Sequence, residues 1–256
     1  MRRKLHAMRI VTWNVNGIRA RQAEVLAWTR EHEPEVVCLQ EIKAEKEKVP
    51  AELASLPGYW CYWHGQKGYS GVSLHVSKRF CPEEPAFSHP EFDHDKRIVV
   101  TVVRNVSIAS IYVPNGGTDF EAKMRFLEAL DAYAARQREE GRTLVLCGDF
   151  NVARADIDVH PKERKLNAIG QRPDERTLLE RVLGRGLTDV ARSLDPDNDR
   201  LFTWWAPWRN LRQRDVGWRL DYVLASAPLA ARATECRAYR EFGSSDHAPV
   251  LAKFDL

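Results

Sequence analysis

The sequence predicts a layered α/β fold with mixed β-sheets. Short apolar segments typical of strands recur along the whole chain, and several of them are separated by only a few residues. Connections that short join antiparallel strands, because parallel neighbours need a longer crossover. Helical segments lie between other strands, and this mixture is typical of layered α/β proteins.

Nine segments are predicted as strands from their apolar residues and flanking turn signals. In chain order they are residues 9–13, 36–39, 59–64, 71–77, 98–104, 106–113, 143–147, 218–225 and 248–251. Two long segments, residues 153–173 and 206–217, have no regular pattern. Loops of that length are uncommon in a compact domain unless they bind something.

Three helices are predicted at about residues 20–32, 119–139 and 174–184. Asp174 directly follows Pro173 and is predicted to cap the third helix. The second helix is the clearest, because its apolar residues form one stripe: Phe126, Leu127, Leu130, Tyr133 and Ala134.

The composition is that of an ordinary globular protein, with 44% hydrophobic and 29% charged residues. No apolar run approaches the roughly 20 residues that span a bilayer, so we expect no membrane partner and a cytoplasmic location. Residues 1–7 are predicted to be a flexible basic leader, with Met8 as an alternative start. No linker divides the remainder, so residues 8–256 are predicted to form one domain.

The cysteine pattern agrees with an intracellular protein, and the charge permits a polyanionic partner without requiring one. The chain has five cysteines without zinc-binding spacing, and we expect them to be reduced thiols. The net charge is only +3, but basic residues gather in segments 43–48, 162–165 and 209–219. Such runs are often merely solvated, although these lie in loops or just after strands.

Polar residues cluster at the ends of four predicted strands. Asp149 and Asn151 follow the apolar run 143–147. The ends of strands are where α/β proteins build sites, and residues two apart in a strand point to the same side. A solvated turn explains one such cluster, but four together indicate chemistry. The other clusters are Asn14 with Asn16, Gln40 with Glu41, and Ser245, Asp246 and His247.

Seven short motifs run through nearly the whole chain. They are Trp13-Asn14-Val15-Asn16-Gly17, Gln40-Glu41-Ile42-Lys43, Tyr69-Ser70-Gly71-Val72, Tyr112-Val113-Pro114-Asn115, Gly148-Asp149-Phe150-Asn151, Val216-Gly217-Trp218-Arg219-Leu220-Asp221-Tyr222 and Ser245-Asp246-His247-Ala248-Pro249. In order and spacing they resemble the exonuclease III family of apurinic/apyrimidinic (AP) endonucleases. The resemblance implies a four-layered α/β sandwich, with two mixed β-sheets face to face and helices outside.

Hydrolysis of a phosphodiester needs an activated water, neutralisation of the growing charge on phosphorus and help for the departing oxygen. The resemblance implies that Asp149 orients or deprotonates the water, while Asn14 and Asn151 fix its direction. It also implies that His247, paired with Asp221, donates to a phosphate oxygen.

The same resemblance adds phosphate donors and a metal. Tyr112 and Asn115 are expected to donate to the phosphate. The implied cofactor is Mg²⁺, for which Mn²⁺ substitutes. Glu41 is the leading metal ligand and is joined by Asp246. Some family members have an aspartate at the position of Asn16. Asn16 itself is expected to reach the metal or a water bound to it. Mg²⁺ suits such a site because it combines few carboxylates with waters and a phosphate.

Residues that bind the substrate are also implied by the resemblance. Trp204, Trp218 and Leu220 correspond to a small apolar pocket that accepts an extrahelical sugar without a base. The adjacent Trp205 is expected to pack in the core. Phosphate-contacting positions of the family fall on Arg164 and Asn167, and Lys43 and Tyr69 belong to motifs expected to contact DNA.

The resemblance therefore implies a Mg²⁺-dependent AP endonuclease that cuts 5′ to an abasic site in double-stranded DNA and acts as a monomer. Removal of 3′-phosphates and other 3′ blocks, and 3′→5′ exonuclease activity, are expected as well. The alternatives are a chiefly exonucleolytic enzyme and a catalytically silent nucleic-acid-binding regulator. Phosphoinositide or sphingomyelin hydrolysis is disfavoured by the aromatic pocket.

Overall fold

The computed structural model describes residues 7–256, which form two six-stranded β-sheets. The predicted leader lies outside the described residues except for Ala7, which is already part of the first strand. Within the described range, no helix combines the length and apolar character needed to cross a bilayer.

The first sheet has the strand order β11-β12-β1-β2-β4-β3. β1 and β2 are parallel, and the other pairs are antiparallel. Its strands are β1 (Ala7–Asn14), β2 (Val36–Gln40), β3 (Tyr59–Gln66), β4 (Tyr69–Ser77), β11 (Ala233–Ala238) and β12 (Val250–Asp255).

The second sheet has the order β5-β6-β7-β8-β10-β9, with β7 and β8 parallel and the other pairs antiparallel. Both sheets are thus mixed, as the sequence predicts. The strands of this sheet are β5 (Phe87–Ser88), β6 (Ile98–Val103), β7 (Val106–Tyr112), β8 (Thr143–Asp149), β9 (Leu187–Asp189) and β10 (Asp221–Ser226).

The α-helices are α1 (Gln22–His32), α2 (Ala51–Ala54), α3 (Phe120–Glu139), α4 (Pro173–Gly184), α5 (Val190–Leu194) and α6 (Ala227–Ala230). The helices α1 to α4 cover the outer faces of the sheets, whereas the short helices α5 and α6 contribute apolar residues such as Val190 and Leu229 to the core between the sheets. The Asp119 side chain caps α3 by accepting from the backbone N–H of Ala122.

Strand alternation divides the apolar residues between three cores. Ile10 of β1 points into the core between the sheets, where it meets residues such as Val145 of β8. Its neighbour Val11 points outward to α1 and α2. The outer face of the second sheet packs on α3 and α4, and the predicted stripe of α3 lies there. The result is a four-layered arrangement of helices, sheet, sheet and helices.

Some sequence-based details were wrong or missing. Arg172, and not Asp174, is the N-cap of α4, because Pro173 takes the first helical position and Asp174 lies within the first turn. The strand expected from residue 218 begins at Asp221, since Trp218 makes only isolated bridges. β5 and β9 have two and three residues, too few to show alternation, and the edge strand β11 is rich in small and charged residues.

Candidate active site

Strand direction and register bring the predicted polar residues to one edge of the sandwich. The parallel strands β1 and β2 end together at Asn14 and Gln40. In the second sheet, Asp149 at the end of β8 pairs in register with Asp221 at the start of the antiparallel β10. His247 precedes β12, which runs antiparallel to β1 and therefore starts at the same edge.

Asp149 lies at the centre of this cluster and is 1% exposed. Its Oδ2 accepts a hydrogen bond of 2.9 Å from Asn14 Nδ2, and its Oδ1 accepts one of 2.9 Å from the backbone N–H of Asn151. Burial raises the pKa of Asp149 to about 7, although the charge of His247 and these hydrogen bonds oppose the rise. Asp149 can therefore take up and release a proton near neutral pH.

His247 is held between two carboxylates. Its Nδ1 is 2.8 Å from Asp221 Oδ2, and its Nε2 is 3.8 Å from Asp149 Oδ2. Burial alone lowers the pKa of His247, but the charges of Asp221 and Asp149 outweigh burial and raise that pKa to about 10. The imidazole is therefore a cation at neutral pH, and both of its nitrogens are donors.

A second polar group lies beside this cluster and consists of Glu41, Asn16, Lys43 and Asp246. Asn14 Nδ2 also donates to Glu41 Oε2 at 3.0 Å, which links the two groups. Lys43 Nζ is 2.7 Å from both Glu41 Oε1 and Asn16 Oδ1. Asn16 Nδ2 donates to Asp246 Oδ1 at 2.9 Å. These side chains form one continuous network.

The backbone of the site is strained. Non-glycine residues have positive φ angles at Asn16 (44°), Glu41 (54°), Lys43 (52°) and Asn151 (52°). Each such residue costs on the order of 1–3 kcal/mol and persists only where the surroundings enforce it. Here the left-handed backbone conformation directs these polar side chains into the site, shortly after strands β1, β2 and β8 end.

These residues line a cavity of about 470 Å³. The rings of Trp204 and Trp218 form one wall, with centroids 5.6 Å apart and planes at 82°. A larger open groove of about 900 Å³, with Arg9 and Lys253 in its lining, contains none of the predicted residues. The site cavity is lined by Asn16, Glu41, Lys43, Tyr112, Asn115, Asp149, Asn151, Ile169, Gly170, Trp204, Trp218, Leu220, Asp246 and His247.

Most predicted site residues therefore meet in one place, but five do not line the cavity, and three of these five lie on the surface away from it. Arg164 and Asn167 are exposed on the loop after β8, and the Arg164 Nε–H donates to the Val159 carbonyl. Tyr69 is 54% exposed at the start of β4. Asn14 and Asp221 lie beneath the cavity and support its lining residues, whereas Trp205 is buried as expected.

Sequence reasoning missed residues that support the site. Arg97 packs its guanidinium near the rings of Tyr69 and Tyr112, at 5.1 and 4.9 Å from their centroids, and donates to Tyr69 Oη at 2.5 Å. Lys123 and Glu175 form a fully buried ion pair beneath the cavity. A signal for Lys123 was present, because it precedes Phe126 and Leu127 by three and four residues on the apolar face of α3.

At the site itself, two sets of side chains bring together atoms of the types that ligate metal ions. Ligand atoms of Asp149, Asp221 and His247 lie within 4.8 Å of one another. The second set, Glu41 with Asp246 and Asn16, offers only oxygen donors, and the Lys43 ammonium already lies at hydrogen-bond distance from two of these oxygens. A positive charge is therefore accommodated beside Glu41 and Asn16.

Comparison with protein families decides the assignment. The endonuclease/exonuclease/phosphatase family matches residues 11–247. The chain belongs to this family.

Individual members of the endonuclease/exonuclease/phosphatase family are similar over nearly the whole chain. The chain is 32% identical over 254 residues to the exodeoxyribonuclease of Bacillus subtilis, covering 95% of this chain and 98% of that protein. It is 33% identical over 255 residues to recombination repair protein 1 of Drosophila melanogaster, covering 97% of this chain but 37% of the fly protein.

Solved structures extend the comparison to the fold. The 3′ phosphatase NExo from Neisseria, bound to a product DNA hairpin, has a TM-score of 0.88 and 33% identity. An AP endonuclease from Archaeoglobus fulgidus has a TM-score of 0.86 and 33% identity. Both alignments cover 97% of this chain and 100% of the other. The relatives confirm the predicted sandwich and the predicted enzyme class, a nuclease that hydrolyses phosphodiesters.

The His247–Asp221 contact predicts a pH effect. Asp221→Asn is expected to lower the pKa of His247 from about 10, because a neutral amide stabilises the imidazolium less than a carboxylate does. Nuclease activity should then be lost at a lower alkaline pH than in the parent. Histidine NMR titration measures this pKa directly. An unchanged pKa would show that Asp221 does not stabilise the protonated imidazole of His247. The control is Asp93→Asn, which removes a carboxylate beside a different histidine, His64.

Proposed function

We propose that this protein is a Mg²⁺-dependent AP endonuclease that cuts double-stranded DNA 5′ to an abasic site and leaves a 3′-hydroxyl. The same site would remove 3′-phosphates and other 3′ blocks and support some 3′→5′ exonuclease activity. The observation that carries the proposal is a buried acid–imidazole cluster directly beside a small aromatic cavity. A monomeric state and a cytoplasmic location stay predictions.

Asp149 is the proposed acceptor for the proton of the attacking water. Its pKa of about 7 suits a general base at neutral pH, since such a group is both available and basic enough. Asn14 and Asn151 hold its oxygens by hydrogen bonds, so the carboxylate cannot rotate away from the water. Orientation of this kind lowers the entropic part of the barrier.

His247 is the proposed donor to a non-bridging phosphate oxygen. The cationic imidazole lines the cavity, and Asp221 fixes its Nδ1 side, while Nε2 lies 3.8 Å from Asp149 Oδ2, beyond hydrogen-bond distance, and its N–H is available to donate to a phosphate. Charge grows on these oxygens during phosphoryl transfer, so a fixed cation stabilises the transition state more than the ground state. Tyr112 and Asn115, which also line the cavity, are proposed as further donors.

Glu41 is the proposed principal ligand of Mg²⁺, with Asp246 and Asn16 contributing directly or through water. Their donors are all oxygen, which matches the preference of Mg²⁺. When bound, the ion would neutralise charge on the phosphate and on the departing oxygen. His247 is a poor ligand in comparison, because its raised pKa keeps the proton on the imidazole and a metal needs the neutral ring.

The aromatic cavity is the proposed basis of abasic-site selection. Trp204, Trp218 and Leu220 enclose space next to the acid–imidazole cluster, and a sugar without a base would fit where a normal nucleotide is excluded. An abasic residue also leaves the helix at low cost, because no base has to be unstacked.

Basic segments around the cavity support a DNA partner. The segment 43–48 follows Glu41, and the loops 153–173 and 206–217 border the cavity near Gly170 and Trp218. Exposed lysines and arginines on these segments would contact backbone phosphates, which position DNA without reading its sequence. They are Lys46, Lys48, Lys162, Arg164, Lys165, Arg209 and Arg214.

The decisive test is incubation with a duplex that carries one tetrahydrofuran abasic analogue, with either Mg²⁺ or EDTA. The proposal predicts one Mg²⁺-dependent cut 5′ to the analogue. An undamaged duplex with a recessed 3′ end is the matched substrate. Rapid resection of that end with slow incision would indicate a chiefly exonucleolytic enzyme, and binding without cleavage would indicate a silent regulator.

The metal assignment predicts a selective effect of Glu41→Gln. The half-saturating Mg²⁺ concentration for incision should rise by at least about 10-fold, because the proposed ligand loses its charge. High Mg²⁺ should restore part of the activity. Glu45→Gln removes a nearby exposed carboxylate and serves as the control. An equal Mg²⁺ dependence in the two variants would remove Glu41 from the metal site.

A further inference from the structure

Two opposite charges are buried beneath the cavity without any role in the proposed chemistry. Lys123 of α3 and Glu175 of α4 form an ion pair, and both side chains are 0% exposed. Burying such charges costs several kcal/mol for each ion, and packed apolar residues often stabilise a fold as well or better. The free-energy cost of burying both charges therefore makes it unfavourable to join two helices by this pair alone.

One remaining hydrogen bond of the pair caps α4, because Glu175 Oε2 accepts from the Arg172 N–H at 3.1 Å, and the others go to the loops of the site. Lys123 Nζ donates to the carbonyl oxygens of Asn151 and Asn115, at 2.7 and 3.3 Å. Both Glu175 oxygens accept from the backbone N–H of Gly170, at 3.0 and 2.7 Å. The pair thus joins three segments: the loop after β7, the start of the loop after β8, and the end of that same loop near Gly170.

Each joined residue lines the cavity. Asn151 has the left-handed φ of 52°, and this conformation directs its backbone N–H and its side chain to Asp149. Asn115 Nδ2 is 3.4 Å from Asn151 Oδ1. Gly170 lies against Trp218, since a Cβ atom there would be 3.1 Å from the indole. A shift of these loops would therefore move the proposed base and one wall of the cavity together.

We propose that the Lys123–Glu175 ion pair is a positioning pair, which holds Asn151, Asn115 and Gly170 so that Asp149 and the aromatic wall keep their relative places. This inference rests on the proposed function for the role of Asp149. Neither Lys123 nor Glu175 touches the substrate, so loss of the pair should lower the rate of the chemical step more than it weakens DNA binding.

A second group of ion pairs joins the same part of the fold and provides a matched control. Asp131 of α3 accepts from Arg181 of α4 at 2.6 Å and from Arg185, just beyond α4, at 2.7 Å. Those contacts involve no residue of the cavity lining. Asp131→Asn therefore weakens the helix contact without releasing a site loop.

The test compares Lys123→Met/Glu175→Gln with Asp131→Asn and the parent. The double variant removes both charges, so no unpaired charge is left buried, and Gln keeps an oxygen for the Gly170 N–H. Thermal melting establishes that each variant is folded. We expect kcat for incision of the abasic analogue to fall by about 10²-fold in the double variant, as for a misplaced catalytic group, with little change in DNA affinity measured in EDTA. Asp131→Asn should keep the parental kcat.

Hydrogen exchange gives a readout that does not depend on the substrate. Peptides covering residues 113–117, 149–153 and 167–171 should exchange faster in the double variant than in Asp131→Asn. If the parent does not cut abasic DNA, the proposed function fails, but exchange still tests the positioning of the loops.

A double variant with parental kcat and exchange would overturn the proposal. So would an Asp131→Asn variant with an equal loss of kcat, because a general loss of stability would then explain both. Should the double variant not fold, Lys123→Gln/Glu175→Gln gives the same comparison, since it also removes both charges but keeps an amide donor for the Asn151 carbonyl.

Discussion

One side-chain amide links the acidic residues of the two sheets. Asn14, at the end of β1, donates through Nδ2 to Glu41 Oε2 in its own sheet and to Asp149 Oδ2 in the other. Both carboxylates therefore lie within 3.0 Å of one nitrogen, an arrangement that depends on how the two sheets stack on each other. The apolar core between the sheets sets that stacking, so its packing determines the distance between the proposed metal ligand and the proposed base.

The site combines features that are individually unfavourable for folding. Asp149 is buried and its pKa is raised. Glu41 and Lys43 have backbone φ angles in the left-handed region, and the charged Lys123 side chain is fully buried. Such strain and burial survive where the surrounding structure enforces them, as they do at many functional sites. A charge held in a site closed to water interacts more strongly with a developing charge than a solvated one does, because no solvent has to reorganise.

The mixed sheets and the meeting of Asp149 with the other strand-end residues could be predicted from the sequence, because strand ends and short connections are local patterns. The pairing of Asp221 with His247 was implied only by the family resemblance, since these residues are 26 positions apart. The sequence did not identify the contacts of Lys123, which depend on α3, α4 and two loops meeting in space. The predicted N-cap of α4 was wrong. Asp is a common N-cap residue and Pro is common at the first helical position, so the sequence allowed the helix to begin on either side of Pro173. Arg164 and Asn167 were assigned from the family resemblance alone, and both lie exposed on the loop after β8.

The central claim is that Asp149 activates the water, and Asp149→Asn tests it most directly. The substitution keeps the shape of the side chain and removes its basicity. Single-turnover incision of the abasic duplex, with binding measured separately in EDTA, separates chemistry from affinity. We predict a rate lower by at least about 10²–10⁴-fold with DNA binding retained. A folded variant that cuts at close to the parental rate would contradict the account.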